Sequence, residues 1–278
     1  MASPILVTGG TGTLGRLVVR RLRDAGCDVR VLTRRSRGAE EGIEYFTGDL
    51  STGEGIELAV DGVGTIVHCA GSNKGDGDKA RNLVRAASNA AHLVYISVVG
   101  ADRIPIGSRV DRAMFGYFES KLAAERVVAD SGLPFTTLRA TQFYDLILMV
   151  AQQMAKLPVI PSPAGFRVQP VDADEVAARL VELALGEPAG LVPDMGGPRV
   201  YSAADLLRGY LRASHRRRPI VPAWLPGKAA RVFRAGANLA PEQAVGRRTW
   251  EEFLVERLSV RATGQRELSR LATRSRSA

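Results

Sequence analysis

Short apolar runs alternate with amphipathic stretches through the first half of the chain. Ile5-Leu6-Val7, Val29-Arg30-Val31-Leu32, Ile43-Glu44-Tyr45-Phe46, Thr65-Ile66-Val67-His68-Cys69-Ala70, Leu93-Val94-Tyr95-Ile96-Ser97 and Phe135-Thr136-Thr137-Leu138-Arg139 are dominated by branched and aromatic side chains. Runs of this length, bounded by Gly, Pro or Asp, predict strands buried on both faces, as in a parallel sheet. Between them the period lengthens. Leu14, Leu17, Val18 and Leu22 fall on one helical face that Gly26 ends. Helical patterns also span Ile56 to Val60, Lys79 to Ala91 and Phe118 to Ser131. Strand alternating with helix predicts an α/β fold, a Rossmann-type doubly wound parallel sheet with helices on both faces and right-handed crossovers.

Beyond Thr141 the alternation weakens. Phe143 to Lys156 reads as a helix, followed by a segment punctuated by Pro158, Pro161, Pro163 and Pro170. Asp172 and Ser202 are candidate N-caps for two further helices, and Trp250 to Leu258 reads as a last one. These patterns divide the chain into an alternating α/β unit over 1–145 and a mostly helical cap over 146–278. The cap is interleaved with the sheet and has a basic tail from about Arg261.

The 278 residues suffice for this architecture, and 45% hydrophobic with 24% charged residues is ordinary for a globular chain. The charge is not ordinary: +9, with a pI near 10.0. The arginines are dispersed on helix faces, apart from His215-Arg216-Arg217-Arg218 and the tail. Nucleic acid is therefore disfavoured as a partner relative to an anionic small molecule. Cys27 and Cys69 match no metal or redox spacing and read as small buried hydrophobes, which suits a reducing cytoplasm. The first strand opens too early for a signal peptide, and the run from Leu146 to Ala151 is too short to span a bilayer. No metal-ligand cluster and no GxSxG elbow is present.

Gly9, Gly12 and Gly15 form GxxGxxG directly between the first strand and the first helix. A pyrophosphate must approach the backbone closely, and the helix N-terminus beyond the turn offers unpaired N–H groups to it. Thr8, Thr13 and Leu14 complete the turn. At the end of the second strand, where an NAD site places a carboxylate for the ribose, stands Thr33-Arg34-Arg35. Guanidiniums suit a 2′-phosphate, so the expected cofactor is NADP(H). Asp49, followed by Leu50 past the third strand, could accept from the adenine amino group.

Tyr117 and Lys121 stand four apart on a predicted helix, and Ser97 ends the fifth strand on the edge where α/β sheets hold ligands. An ammonium beside a phenol favours phenolate and lowers the phenol's pKa, which allows proton donation to a carbonyl oxygen during hydride transfer, and a serine hydroxyl can hold that same oxygen.

These segments together resemble the short-chain dehydrogenase/reductase superfamily, and more closely its atypical, NmrA-like NAD(P)H-binding branch. The resemblance rests on Val7 to Gly15, Thr33 to Arg35, Gly48-Asp49-Leu50, Val67 to Gly71, Tyr117 to Glu125 and Ser131 to Phe143. It implies that Ala70, Gly71 and Ser72 line the cofactor, and that Lys121 holds the cofactor ribose. It also implies that Thr141, Gln142, Phe143 and Tyr144 flank the nicotinamide and substrate. The implied activity is NADPH-dependent hydride transfer to a small apolar, aromatic or quinone-like molecule, by a monomer or homodimer. Two alternatives share the cofactor: a non-catalytic NADP(H) sensor, and a biosynthetic enzyme doing dehydration or cyclisation. In the superfamily the active serine often stands slightly beyond the position of Ser97, and many members of the atypical branch lack a working Ser-Tyr-Lys set.

Overall fold

The structure is a computed structural model and describes residues 3–38, 40–72, 74–87 and 90–259. The basic tail from Arg261 lies outside the described residues.

Seven parallel strands form the central sheet: β1 (Ile5–Thr8), β2 (Val29–Thr33), β3 (Ile43–Thr47), β4 (Thr65–His68), β5 (His92–Val98), β6 (Phe135–Ala140) and β9 (Gly190–Leu191). Their order is β3-β2-β1-β4-β5-β6-β9. Chain order reverses between β1 and β4, so the carboxyl ends of those two strands open a crevice.

Strand alternation divides the sheet's side chains between two faces. Val94 and Ile96 of β5 join α1 (Thr13–Asp24) and α6 (Ala173–Leu185) in one core layer. Leu93 and Tyr95 join α2 (Ile56–Val60), α3 (Asp76–Ala86) and α4 (Arg109–Ala129) in the other. Helices thus cover both faces, as the sequence pattern predicts. Helix α6 lies beside α1, tied by the Arg21–Asp174 pair. Asp172 caps α6 by accepting from the Asp174 N–H at 2.9 Å. A stretch C-terminal to residue 145 therefore returns to the sheet.

The cap consists of α5 (Tyr144–Met154), α7 (Ala203–Ala213), the helical residues 250–259 and two small sheets. One sheet pairs β7 (Ile160–Pro163) with β11 (Ile220–Ala223), and the other pairs β8 (Arg167–Val168) with β10 (Tyr201–Ser202). A final helix, α8 (Lys228–Arg234), packs through Phe233 against Phe115 and Phe118 of α4.

Several elements differ from the sequence reading, each for a local reason. Helix α4 begins nine residues before the expected Phe118, because Ser108 accepts the Asp111 N–H at 3.0 Å and starts it. Helix α3 starts at Asp76, where Gly75 turns through φ +77°. Strand β4 ends at His68, two residues short of Ala70. The proline-rich segment forms β7 and β8. β7 is bonded on one side, so the missing N–H groups of Pro161 and Pro163 are tolerated.

One buried ion cluster locks α4 to the sheet. Arg139 of β6 donates to both Glu125 oxygens, at 2.9 and 2.6 Å, and to Asp102 at 2.8 Å. Replacing Glu125 with Leu strands a buried guanidinium, and urea unfolding should show a loss of about 3 kcal/mol. A loss under about 1 kcal/mol would mean that Asp102 alone satisfies Arg139.

Candidate functional site

The first βα turn is built on backbone approach. Gly9 turns through φ +71°, and a Cβ there would lie 2.6 Å from the Ala70 nitrogen. A Cβ on Gly15 would lie 2.1 Å from the Gly9 carbonyl oxygen. The Gly12 N–H donates to that same oxygen at 2.9 Å. Gly12 is the N-cap of α1, with no side chain capping it and no acid in the first turn. The amino end of α1 is therefore open to an anion.

In front of the turn lies a cleft of about 590 Å³. Gly9 and Gly12 form one wall and Thr33 and Arg34 the next. Asp49 with Leu50, and Ala70 through Ser72, continue it, and Lys74 and Lys79 stand at its α3 side. Arg34 has no carboxylate within ion-pair distance among the described residues, and its guanidinium is exposed. Arg35 stands just outside the cleft, with its N–H toward the Thr33 hydroxyl. Asp49 uses Oδ1 to accept the Ser51 N–H at 2.8 Å, which leaves Oδ2 without a hydrogen-bond partner among the described residues. Thr13 is exposed at the start of α1, and Leu14 is buried beneath the turn.

Thr8 and His68 clamp the turn to β4. The Thr8 hydroxyl meets His68 Nδ1 at 2.6 Å, and the Cys69 N–H donates to the Thr8 carbonyl. His68 is fully buried and stacks on Tyr95 at 5.3 Å. Burial, with the charges of Lys121 and Lys79 behind it, holds the imidazole near pKa 3. Burial also pushes the Cys69 thiol to about 12, so it stays protonated. A His that titrates near 6.5 when unfolded and near 3 when folded binds more protons unfolded between those values. Its contribution is therefore intact above pH 6.5 and is lost as pH falls toward 3. Chemical unfolding should show on the order of 2 kcal/mol lost between pH 6.5 and 5. That slope should vanish in His68→Gln, and its persistence there would assign it to other groups.

Lys121 is 3% exposed. Its ammonium donates to the Ile96 carbonyl at 3.1 Å and lies 3.6 Å from Asp76 Oδ2. It stands 5.0 Å from the Tyr95 ring centre and 5.8 Å from that of Tyr117. A Cβ on Gly71 would lie 2.9 Å from this ammonium, so only Gly71 separates Lys121 from the cleft at that point. Desolvation lowers the lysine pKa, and Asp76 opposes the shift. The Tyr117 hydroxyl is not lowered as expected from Lys121: burial first, and the Asp76 charge second, raise it above the ordinary tyrosine value, although 36% of the residue stays in solvent. The phenol is therefore neutral, the state a proton donor needs.

Asp76 was not singled out by the sequence. It is 1% exposed, accepts the Ser72 N–H at 2.9 Å, and sits between Lys79 and Lys121. Its own N–H donates to Ser120 at 3.1 Å. An acid in the first turn of α3 was the available signal, but its pairing with a lysine of α4 is a tertiary fact.

Ser97 shares the alternation of Tyr95, and its buried hydroxyl has no hydrogen-bond partner among the described residues. No hydrogen bond joins it to Tyr117. Past β5 the chain reads Val99-Gly100-Ala101, with no hydroxyl. On the expected substrate side, Thr141 Oγ1 and both amide atoms of Gln142 are buried without a hydrogen-bond partner among the described residues, and Phe143 packs against the α1/α6 layer. Tyr144 is placed differently from the expectation. It is fully buried, stacks on Phe253 and Trp250 at 5.2 and 5.7 Å, and donates to the Arg248 carbonyl at 2.6 Å. Its ring belongs to the cap core, because stacking there removes more apolar area from water than a cleft wall would.

The NAD(P)H-binding family model matches residues 9–185, and the chain belongs to that family. Among curated proteins it is 31% identical over 219 residues to the ceramide reductase of Caulobacter vibrioides, with 74% of this chain and 68% of that protein covered. It is 27% identical over 223 residues to the photosystem II assembly factor Ycf39 of Trieres chinensis, with 73% of this chain covered. The chain spans 66% of that protein's length. Among solved structures, the NADPH-dependent quinone oxidoreductase QOR2 of Escherichia coli, complexed with NADPH, superposes with a TM-score of 0.76 at 19% identity. That match covers 91% of this chain and 99% of the other, and shows the shared fold. A short-chain dehydrogenase/reductase superfamily protein of Agrobacterium tumefaciens, with bound NAD, shares the fold at a TM-score of 0.67 and 20% identity, with 98% of this chain and 99% of that one covered. Among the described residues no helix is long and apolar enough to cross a membrane, and no side-chain cluster could hold a metal ion.

Proposed function

We propose that this chain is an NADPH-dependent oxidoreductase acting on a small apolar, aromatic or quinone-like molecule. The observation that carries the reading is the position of Lys121, buried behind Gly71 of the cofactor cleft and within 6 Å of the Tyr117 ring. NADPH, when bound, supplies a hydride to the substrate. The open α1 terminus and the glycines of the turn hold the pyrophosphate. Arg34 pairs the 2′-phosphate, and Asp49 Oδ2 accepts from the adenine. Lys121, steadied by Asp76 and Ile96, holds the ribose beside the Tyr117 ring. Tyr117 donates its phenolic proton to the substrate oxygen. Thr141 and Gln142 offer unpartnered polar atoms for orienting bound groups.

Arg34 gives the sharpest test of cofactor choice. A guanidinium–phosphate pair contributes about 1.5–3 kcal/mol. Arg34→Ala should therefore weaken NADPH binding by about tenfold to a hundredfold and leave NADH binding unchanged, as read by fluorescence titration. Equal losses for both cofactors would remove the 2′-phosphate role.

A second reading is a cofactor-binding regulator without turnover. It is favoured by the apolar segment after β5 and by Ser97, whose hydroxyl makes no bond to Tyr117. The relationship to a protein named as an assembly factor agrees with it. Under this reading the chain binds NADPH and oxidises none of it.

A further inference from the structure

The cap carries a surface that the oxidoreductase reading leaves unused. Strands β7 and β11 pair in parallel, with Ile160 opposite Ile220 and Pro161 opposite Val221. Ile160 is buried, while Pro161 and Val221 are exposed, so the ribbon turns one apolar side outward. The Ile160 N–H donates to the Pro219 carbonyl, which brings Val159, 43% exposed, beside the end of the Arg216-Arg217-Arg218 run. All three of these arginines are exposed, and none has a carboxylate within ion-pair distance among the described residues. At the far end of the ribbon Trp224 is 68% exposed, with the Arg234 guanidinium 3.9 Å above its ring.

Charge is distributed to match. No Asp or Glu occurs between Asp145 and Asp172, or between Asp205 and Glu242. Those two segments supply β7 and β11 and carry ten Lys and Arg, so the whole formal excess of +9 resides in them. A surface that is outwardly apolar, tipped by a tryptophan and rimmed by unpaired guanidiniums suits one solvent boundary. Tryptophan favours the headgroup level of a bilayer, apolar side chains enter the acyl margin, and guanidiniums meet lipid phosphates. A folded protein partner would be expected to bring carboxylates in matching geometry, whereas a nucleic acid would leave Val159, Val221 and Trp224 without an apolar counterpart.

We infer that the β7/β11 ribbon docks this protein peripherally on an anionic lipid surface, with Trp224 at the headgroup level and Arg216 to Arg218 on lipid phosphates. The site lies on the cap, and docking does not depend on the reaction catalysed.

The test uses the full chain and vesicles of phosphatidylcholine, with or without phosphatidylglycerol. The protein should cosediment with the anionic vesicles and stay in the supernatant with the neutral ones. Of its two tryptophans, Trp250 is buried, so a blue shift of emission on adding anionic vesicles reports Trp224. Trp224→Phe should abolish the shift. The triple variant R216E/R217E/R218E should lower vesicle affinity at least tenfold, with NADPH binding unchanged as the control for folding. The inference is overturned if the chain ignores anionic vesicles. It is equally overturned if binding occurs without a shift of Trp224, which would describe a simple polycation. A concentration-dependent dimer that Val221→Asp dissociates, seen without vesicle binding, would assign the ribbon to a second copy and also overturn it.

Discussion

Gly12→Ala should fold normally and lose at least a hundredfold in affinity for NADPH. The two halves of this expectation have separate causes. At Gly12 the backbone is extended, at φ −78° and ψ 177°, a conformation alanine adopts freely. A Cβ there meets the Gly9 oxygen at 3.2 Å, which a small shift relieves. The added methyl nevertheless stands at the open amino end of α1, where a pyrophosphate must reach unpaired N–H groups. Losing that approach forfeits several charge-assisted hydrogen bonds, each contributing about 1.5–3 kcal/mol. Gly15→Ala is the contrasting case. Its Cβ would sit 2.1 Å from a carbonyl oxygen, so the turn itself must move, and stability should fall by about 1–3 kcal/mol along with affinity. Titration of cofactor fluorescence, paired with thermal unfolding, separates the two variants. NADPH affinity in Gly12→Ala within threefold of the parent would remove the turn from the cofactor site.

Why the turn was legible and other parts were not follows from sequence separation. Gly9, Gly12 and Gly15 do their work within one strand–turn–helix, so spacing alone carries the geometry. The strands of the sheet interior are continuous apolar runs for the same reason: both faces are covered, and composition reports it. β9 has two residues and no pattern to read, and its place at the sheet edge is set by pairing with β6. Gly116 and several charged residues obscured the first turns of α4, which a serine cap and packing against α8 stabilise. Asp76 and Lys121 lie on different helices, and only the α3–α4 packing shows that one steadies the other. Tyr144 failed for a similar reason. Its position after β6 suggests a cleft wall, and the aromatic cluster that claims it comes from residues 250–253.

Tyr117→Phe should reduce turnover by about a hundredfold to ten-thousandfold while leaving NADPH binding within about twofold, the range that loss of a positioned proton donor produces. The change removes one oxygen from a residue that already exposes 36% of its surface, so folding should not suffer. Retained turnover in this variant would transfer proton donation to another group. Lys121→Ala is expected to behave differently. It leaves Asp76 buried beside Lys79 alone, so stability and cofactor affinity should fall together with rate.

On the reading proposed above, the cleft holds NADPH for reduction and not merely for recognition. The most direct measurement follows loss of reduced-nicotinamide absorbance when the full chain is mixed with NADPH and a panel of benzoquinones and naphthoquinones. Saturable oxidation by at least one acceptor is expected, faster with NADPH than with NADH and lost in Tyr117→Phe. Tight binding of NADPH with no oxidation by any acceptor in the panel would contradict it.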